Sequence, residues 1–535
     1  MAVQPVRLGP WPGGLNTRDA ELLPDQLGPS QLRTLVNLDV NSAGALQARP
    51  GARRTGGPAM YTYLGASGTF WVLGSWELLG WRYAVIGVYN GIGSMRIYYS
   101  ATPWLATDAS WPQPAGNEQL AGAYGALVQY AGFAYLIPSA LSPGTPTGLR
   151  RATLVSGTWG AVAGMPYGDI AMMIRERMFI VDRDQSRIYY SKPTDPTVWA
   201  APDGGSFDVN PGDGERIYAA VVVNSQLYIF KGSRTYLFTF TADPALDGQV
   251  TLINDQLGGI DAQPWETGIL VWNRQGVYRL VNNYFSRVDE LAPALDQVGL
   301  ADGFNNSRLS IEGEQLVLAG VGTTGFPYLH MAMNLRTGAW SQRIYPDTQV
   351  GPNTRYCTTR YDYASGNPPS TWNVYGHRKQ TLSATPTAPG DARLRSTLDL
   401  TSASALISPR YRMVTGVMTG GDPYAYKRFY LAIAHVRNRL QAGDAAVQAR
   451  IYVGAEDAGV LDMAMAVPLE SAPVPVGTWG GKVALSDRRF LGLALELDKP
   501  QTTLSPTLTD PLTTSDFSVR GMLVRVDTTG GGERS

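Results

Sequence analysis

The pentapeptide Arg-Ile-Tyr-Tyr-Ser stands twice in this 535-residue chain, at 96–100 and at 187–191. Its surroundings match too. GSMRIYYSATPWLATDASWPQP and QSRIYYSKPTDPTVWAAPDG both run from an apolar stretch through Ser into a Pro-bearing loop that contains Trp. The interval between the two copies is 91 residues (187 − 96). Strand–turn–strand patterning fills the region from 58 to 395. It is clearest in WRYAVIGVYN (81–90), RMFIVDRDQSRIYYS (177–191), QLYIFKGSRTYLFTF (226–240), GILVWNRQGVYRLVN (268–282) and EQLVLAGVGTTGFPYLHMAMNLRTGAWSQ (314–342). In all but the first, two apolar runs are split by a short polar or Gly-bearing turn: DRDQS, KGS, NRQG and GVGTTG. That is the pattern of antiparallel hairpins.

The hairpins recur at a period. Central aromatics of the second strands lie 46 residues apart (Tyr190 to Tyr236) and 42 apart (Tyr236 to Tyr278). A Gly-x-Trp pair recurs at Trp159 and Trp340, 181 residues apart. Both 181 and 91 are near multiples of about 45 residues, the length of a β-propeller blade. One blade cannot bury both of its faces alone, so blades stack around an axis and bury each other. The expectation is an all-β chain with a β-propeller of about six or seven blades over 58–395; a long antiparallel β-sandwich array is the competing reading. The 60 Gly, 36 Pro, 28 Tyr and 13 Trp, with only 16% charged residues, suit short strands and many turns.

Flanking regions read differently. Residues 1–57 form an N-terminal arm and strand pair, with one helix candidate, PDQLGPSQLRTLVNLDV (24–40). Pro24 opens it, Leu27, Leu32, Leu35 and Leu38 form a loose stripe, and Pro29 breaks it. From 396 to 535 the strands are longer, as in RFYLAIAHVRNRL (428–440) and FSVRGMLVRVD (517–527), and predict a second, sandwich-like all-β domain.

Chemistry is scarce. Lys+Arg and Asp+Glu are both 44, so the basic excess of a free nucleic-acid binder is missing. Cys357 is the single cysteine, which rules out an internal disulfide. The opening MAVQPVRLGPWPGGLN reads as no signal peptide, and apolar runs such as YAAVVV (218–223) fall far short of the roughly 20 residues that span a bilayer. His330, His377 and His435 show no metal-ligand spacing. GVGTTG matches a dinucleotide-binding glycine pattern but leads into the strand FPYLHMAM, so it reads as a hairpin turn. Asp182 and Asp184 have the spacing of a calcium loop, yet Arg187 stands where Gly is needed and Pro193 where Glu is needed. The Ser-x-Asp-x-Gly-x-Thr-Trp boxes of propeller sialidases lack their Asp and Gly in SKPTDPTVW (191–199). No catalytic residue, metal or cofactor is expected, and the chain is read as a non-enzyme.

One stretch is unusually specific: GPWPGGLNTRDAELLPDQLGPSQLRTLVNLDVNSAGALQARPGARR (9–54). Its marks are Gly-Leu-Asn (14–16), Leu-Pro (23–24), Asn-Leu-Asp-Val (37–40), Gly44, Leu46 and Arg49-Pro50-Gly51, and Asn-Ser-Ala-Gly (41–44) reads as the turn of a strand pair. It resembles the opening of structural proteins of tailed bacteriophages. RMFIVDRDQSRIYYSKPTDPTVW, GERIYAAVVVNSQLYIFKGSRTYLF and GILVWNRQGVYRL are similar to the central blades of the tail nozzle, or tail-hub, family of short-tailed phages, and FSVRGMLVRVDTTGGGERS is similar to how such chains end. The resemblance implies a virion protein made in the bacterial cytoplasm: a ring, typically of six copies, below the portal and adaptor. Such a ring continues the DNA channel, helps hold the genome and opens when the tail fibres engage the host. It implies as partners other copies of the chain, the portal-adaptor protein, the tail fibres, and DNA passing without sequence-specific contacts. Trp11, Asn16 and Arg49 are the expected docking residues of the N-terminal arm. The alternative is a host-glycan-binding or glycan-cleaving propeller of a tail fibre or spike.

Overall fold

The computed structural model of the chain describes residues 158–288 except 274; residues 31–151 without 49–52, 66–67, 79–80, 102–107, 115–118 and 140–146; and 308–344 without 313 and 320–328. Elsewhere it describes β-strands alone. Six blades, each of four antiparallel strands, stand in a ring, a six-bladed β-propeller. The blades occupy 69–121, 124–162, 170–208, 217–254, 261–287 and 308–344. In each, the four strands follow chain order across the sheet, and the first strands of blades 1 to 6 succeed one another around the ring.

This arrangement answers the doubled pentapeptide. Both copies are third strands: Ser94–Ser100 in blade 1 and Arg187–Tyr190 in blade 3. Ninety-one residues is two blades. Tyr190, Tyr236 and Tyr278 likewise lie on the third strands of blades 3, 4 and 5. Trp340 opens the fourth strand of blade 6 and Trp159 immediately precedes that of blade 2, so their interval is four blades.

Packing explains why the central strands read as unbroken apolar runs. In Gln226–Lys231 of blade 4, Leu227 and Ile229 pack with Phe179, Ile188 and Tyr190 of blade 3. The alternate residues Tyr228 and Phe230 pack with Ala262, Ile269 and Val271 of blade 5. A strand buried on both faces needs hydrophobes at every position. Each such side chain contributes roughly 1.5–3 kcal/mol by leaving water. Phe207 of blade 3 stacks on Phe238 of blade 4, ring centroids 4.1 Å apart, across the same seam.

The turns are equally regular. Between the first and second strands stand Ala131-Gly132 in blade 2, Arg175-Glu176 in blade 3 and Asn224-Ser225 in blade 4, every one of these residues with positive φ. Paired left-handed residues match the twist of the strands they join. The expected turn at DRDQS joins the second and third strands of blade 3, and Asp182 Oδ1 accepts a hydrogen bond from the Gln185 N–H there. The turn reading of GVGTTG falls outside the described residues. His330, His377 and His435 all lie on strands.

The helix expected over 24–40 is overturned for its second half: Gln31–Val36 and Leu38–Val40 are strands. The leucine spacing misleads because of a β-bulge. Leu32 faces Thr415 but Thr34 faces Val414, so one residue is extra on this strand. The shift puts Leu32 and Leu35, three apart, on one face. Leu32, Leu35 and Leu38 are fully buried. Asn37, at φ 59, breaks the strand, and Leu38–Val40 then turns at 41–44 to pair with Leu46–Ala48, the expected strand pair.

Most strands outside the blades join three wider sheets. One adds Tyr356–Tyr361, Ser370–His377, Thr381–Pro386 and Arg53–Thr55 to blade 1. A second holds Val3–Leu8, Leu38–Val40, Leu46–Ala48, Lys427–Asn438, Gly477–Ala484, Asp487–Arg488 and Phe517–Asp527. The third continues blade 6 through Gln31–Val36 into Tyr411–Thr415, Leu493–Asp498, Val447–Val453 and Glu470–Val474. Among the described residues, no helix is long and apolar enough to cross a membrane.

Candidate functional site

Two constructions stand out in the ring. The first is the junction of the N-terminal hairpin with blade 6. Asp39 lies on Leu38–Val40 and Arg343 on Trp340–Ile344, 304 residues later. The Arg343 guanidinium is fully buried. It donates from Nη2 to Asp39 Oδ2 at 2.7 Å and from Nε to Asp39 Oδ1 at 3.1 Å. The Ser341 hydroxyl donates to the same Oδ1 at 3.2 Å. Beside them the Val40 carbonyl accepts from Gln315 Nε2 and Asn334 Nδ2, both at 2.9 Å. The Asn37 N–H donates to the Gln342 carbonyl at 2.7 Å. The Asn-Leu-Asp-Val segment is thereby fastened to three strands of blade 6. A bidentate carboxylate–guanidinium pair fixes orientation as well as distance. With its oxygens thus engaged, Asp39 is a structural fastener.

The second is a cleft of about 540 Å³ between blades 4 and 5. It is lined from three sides: the entry to blade 4 and the start of its first strand (Glu215, Arg216, Tyr218), the central turns of the two blades (Gly232, Ser233, Asn273, Gln275), and the connection between them (Gln256, Gly258, Ile260). Ser233 holds the Glu215 carboxylate, its N–H donating to Oε2 at 3.2 Å and its hydroxyl to Oε1 at 2.7 Å. The Arg216 guanidinium lies over the Tyr218 ring, 4.7 Å from its centre. Gly258 is required by the backbone, since a Cβ there would meet the Lys231 carbonyl at 2.1 Å.

Behind the cleft is a buried ion pair. Lys231 Nζ, with no exposed side-chain surface, donates to Asp213 Oδ1 at 2.8 Å and to the Asn210 carbonyl at 2.9 Å. Asp213 also accepts from the Glu215 N–H at 3.0 Å, and Arg234 lies 3.4 Å from its other oxygen. Burial pushes the Asp213 carboxyl up, but the hydrogen bonds from Lys231 and Glu215 and the charges of Lys231 and Arg234 outweigh it, and it lies below the usual carboxylate range. The pair locks residues 210–216, and with them the cleft wall.

Trp11, Asn16 and Arg49, the expected docking residues, lie outside the described residues. Their neighbours Gly14–Leu15 pair in parallel with Gln31–Leu32. Arg343, Lys231 and the cleft residues were not singled out from sequence, and Asp39 was noted there as part of Asn-Leu-Asp-Val, with no partner assigned. One signal was there: Lys231 is one of only six lysines and sits at the end of the apolar run LYIFK. Among the described residues, no group of three or more His, Cys, Asp or Glu is placed to hold a metal ion.

No protein-family model and no curated protein matches the chain. Solved structures do show loose similarity. The AfRom2 CNH domain is 9% identical with a TM-score of 0.36, covering 63% of this chain and 98% of its own. Sqt1 of Saccharomyces cerevisiae is 7% identical at 0.38, covering 57% and 81%. The extracellular domain of the putative hybrid two component system BT4673 from B. thetaiotaomicron is 11% identical at 0.40, covering 71% of this chain and 42% of that one. Likenesses this loose carry no weight for function; the blades rest on the strand pairing itself.

Proposed function

We propose that this chain is a structural protein of a tailed-phage virion, a nozzle or hub subunit. It assembles as a ring of identical copies below the portal-adaptor, continues the DNA channel, retains the genome and opens for ejection once the tail fibres bind the host. Copies in a ring meet head to tail, through two different surfaces that close by rotation.

The observation that carries this reading is the Asn-Leu-Asp-Val segment. It belongs to the stretch with the most specific resemblance to phage structural proteins, and Asp39 within it is the buried partner of Arg343. The residues that mark the resemblance are thus those that fasten the chain's start to its last blade. The other resembling stretches run in the same order through blades 3, 4 and 5. Both observations favour an architectural role.

Gold-labelled antibody against the chain, applied to purified virions whose proteins are also identified by mass spectrometry, tests the proposal. Label at the distal end of a short tail is the expected result. Label on the fibres, or particles that do not contain the chain, would overturn it.

A further inference from the structure

We propose that the cleft between blades 4 and 5 is a binding site for a neutral saccharide. The inference stands on the cleft alone and goes beyond the virion reading. A volume of about 540 Å³ lies within the roughly 300–1,000 Å³ of small-ligand pockets.

The wall chemistry selects the ligand class. Sugar hydroxyls donate and accept at once. The cleft offers the acceptor Glu215, the donor Arg216, and the amides of Gln256 and Gln275, which do both. Sugar rings also carry apolar C–H faces, and Tyr218 lines the cleft with a polar-tipped aromatic ring, one face of which the Arg216 guanidinium covers. An anion is poorly served, because Arg216 is next to Glu215 in the chain and 4.0 Å from Asp184. A cation is poorly served for the converse reason. A purely apolar ligand would strip water from the amides and return no hydrogen bonds.

The site is also built in advance. Ser233 fixes both Glu215 oxygens, and the buried Lys231–Asp213 pair holds the backbone on which Glu215 and Arg216 stand. Groups set before binding lose little freedom on binding. Gly232 keeps the cleft open. A Cβ there would lie 3.6 Å from the Tyr218 ring and 3.7 Å from Glu215 Oε1, an ordinary contact, and a longer side chain would fill the space between them.

That glycine provides the test. The intact chain is applied to an array of bacterial surface oligosaccharides, and the best-bound neutral glycan is titrated by calorimetry. Tyr218→Ala and Gly232→Leu are measured beside it, with melting curves to confirm that both remain folded. The expected result is binding of a neutral glycan that each variant weakens about tenfold or more, equivalent to about 1.4 kcal/mol. Inorganic phosphate at the same concentration does not compete. Three results would each overturn the proposal: no neutral glycan bound, glycan binding unchanged in both folded variants, or displacement of the glycan by phosphate.

Discussion

In blades 3, 4 and 5 the fourth strand ends its sheet; in blade 6 the fourth strand is followed by Gln31–Val36 and then by four strands drawn from beyond residue 410. The two regions also use buried charge differently. In blade 4 the pair Lys231–Asp213 spans 18 residues and joins a blade to the loop entering it. In blade 6 the pair Arg343–Asp39 spans 304 residues and joins the hairpin ahead of blade 1 to the last blade. A repeated blade is held by what it shares with its neighbours, period and hydrophobic alternation. Blade 6, where the sheet runs on beyond the repeat, is held by side chains specific to that place. The contrast separates what makes a propeller from what makes this one.

The largest expected effect comes from breaking the long-range pair alone. Arg343→Met leaves the Asp39 carboxylate buried without its charge partner and is expected to cost about 3–5 kcal/mol in denaturant unfolding. Adding Asp39→Leu to that variant recovers most of the loss, because removing both charges restores a neutral interior. Should Arg343→Met unfold no more readily than the native chain, blade 6 would be no different from its neighbours.

Lys231→Met is expected to be milder, about 1–3 kcal/mol, since Asp213 keeps Arg234 and the Glu215 N–H. The same carboxylate sets a pH signature. Its pKa in the fold is depressed, so its stabilisation is complete above the ordinary aspartate value of about 3.9 and is lost as pH falls through the lower folded value. Melting temperature measured below about pH 4 therefore falls less steeply in Asp213→Asn than in the native chain.

Ile188→Val removes one methyl from the seam between blades 3 and 4 and is expected to cost about 0.5–1.5 kcal/mol. Smallest of all is Arg187→Ala. Arg187 makes a short ion pair with Asp208, 2.6 Å, but both side chains are well exposed to solvent. Melting is expected to be unchanged within error, because exposed pairs are screened and their side chains lose freedom in forming them.

The blade plan was largely legible because it depends on local spacing. Arg96-Ile97-Tyr98-Tyr99-Ser100 and its copy, and the three marker tyrosines, lie on third strands, and Trp159 and Trp340 mark the starts of fourth strands. The fastening of blade 6 was not legible. Nothing near Asp39 in the chain announces Arg343. The leucines at 32, 35 and 38 read as a helix because one extra residue between 32 and 34 and the strand break at Asn37 together imitate helical spacing. The cleft was hidden for a similar reason: Glu215, Gly232, Gln256 and Gln275 meet only once two blades are side by side.

The most direct test of the architectural account is a six-fold-averaged electron cryomicroscopy map of the virion tail. The account predicts six copies of this propeller in one ring at the distal end of the tail, each with its blade 6 continued by the N-terminal strand Gln31–Val36. A propeller found in the fibres, or a tail ring whose density does not fit this chain, would contradict it.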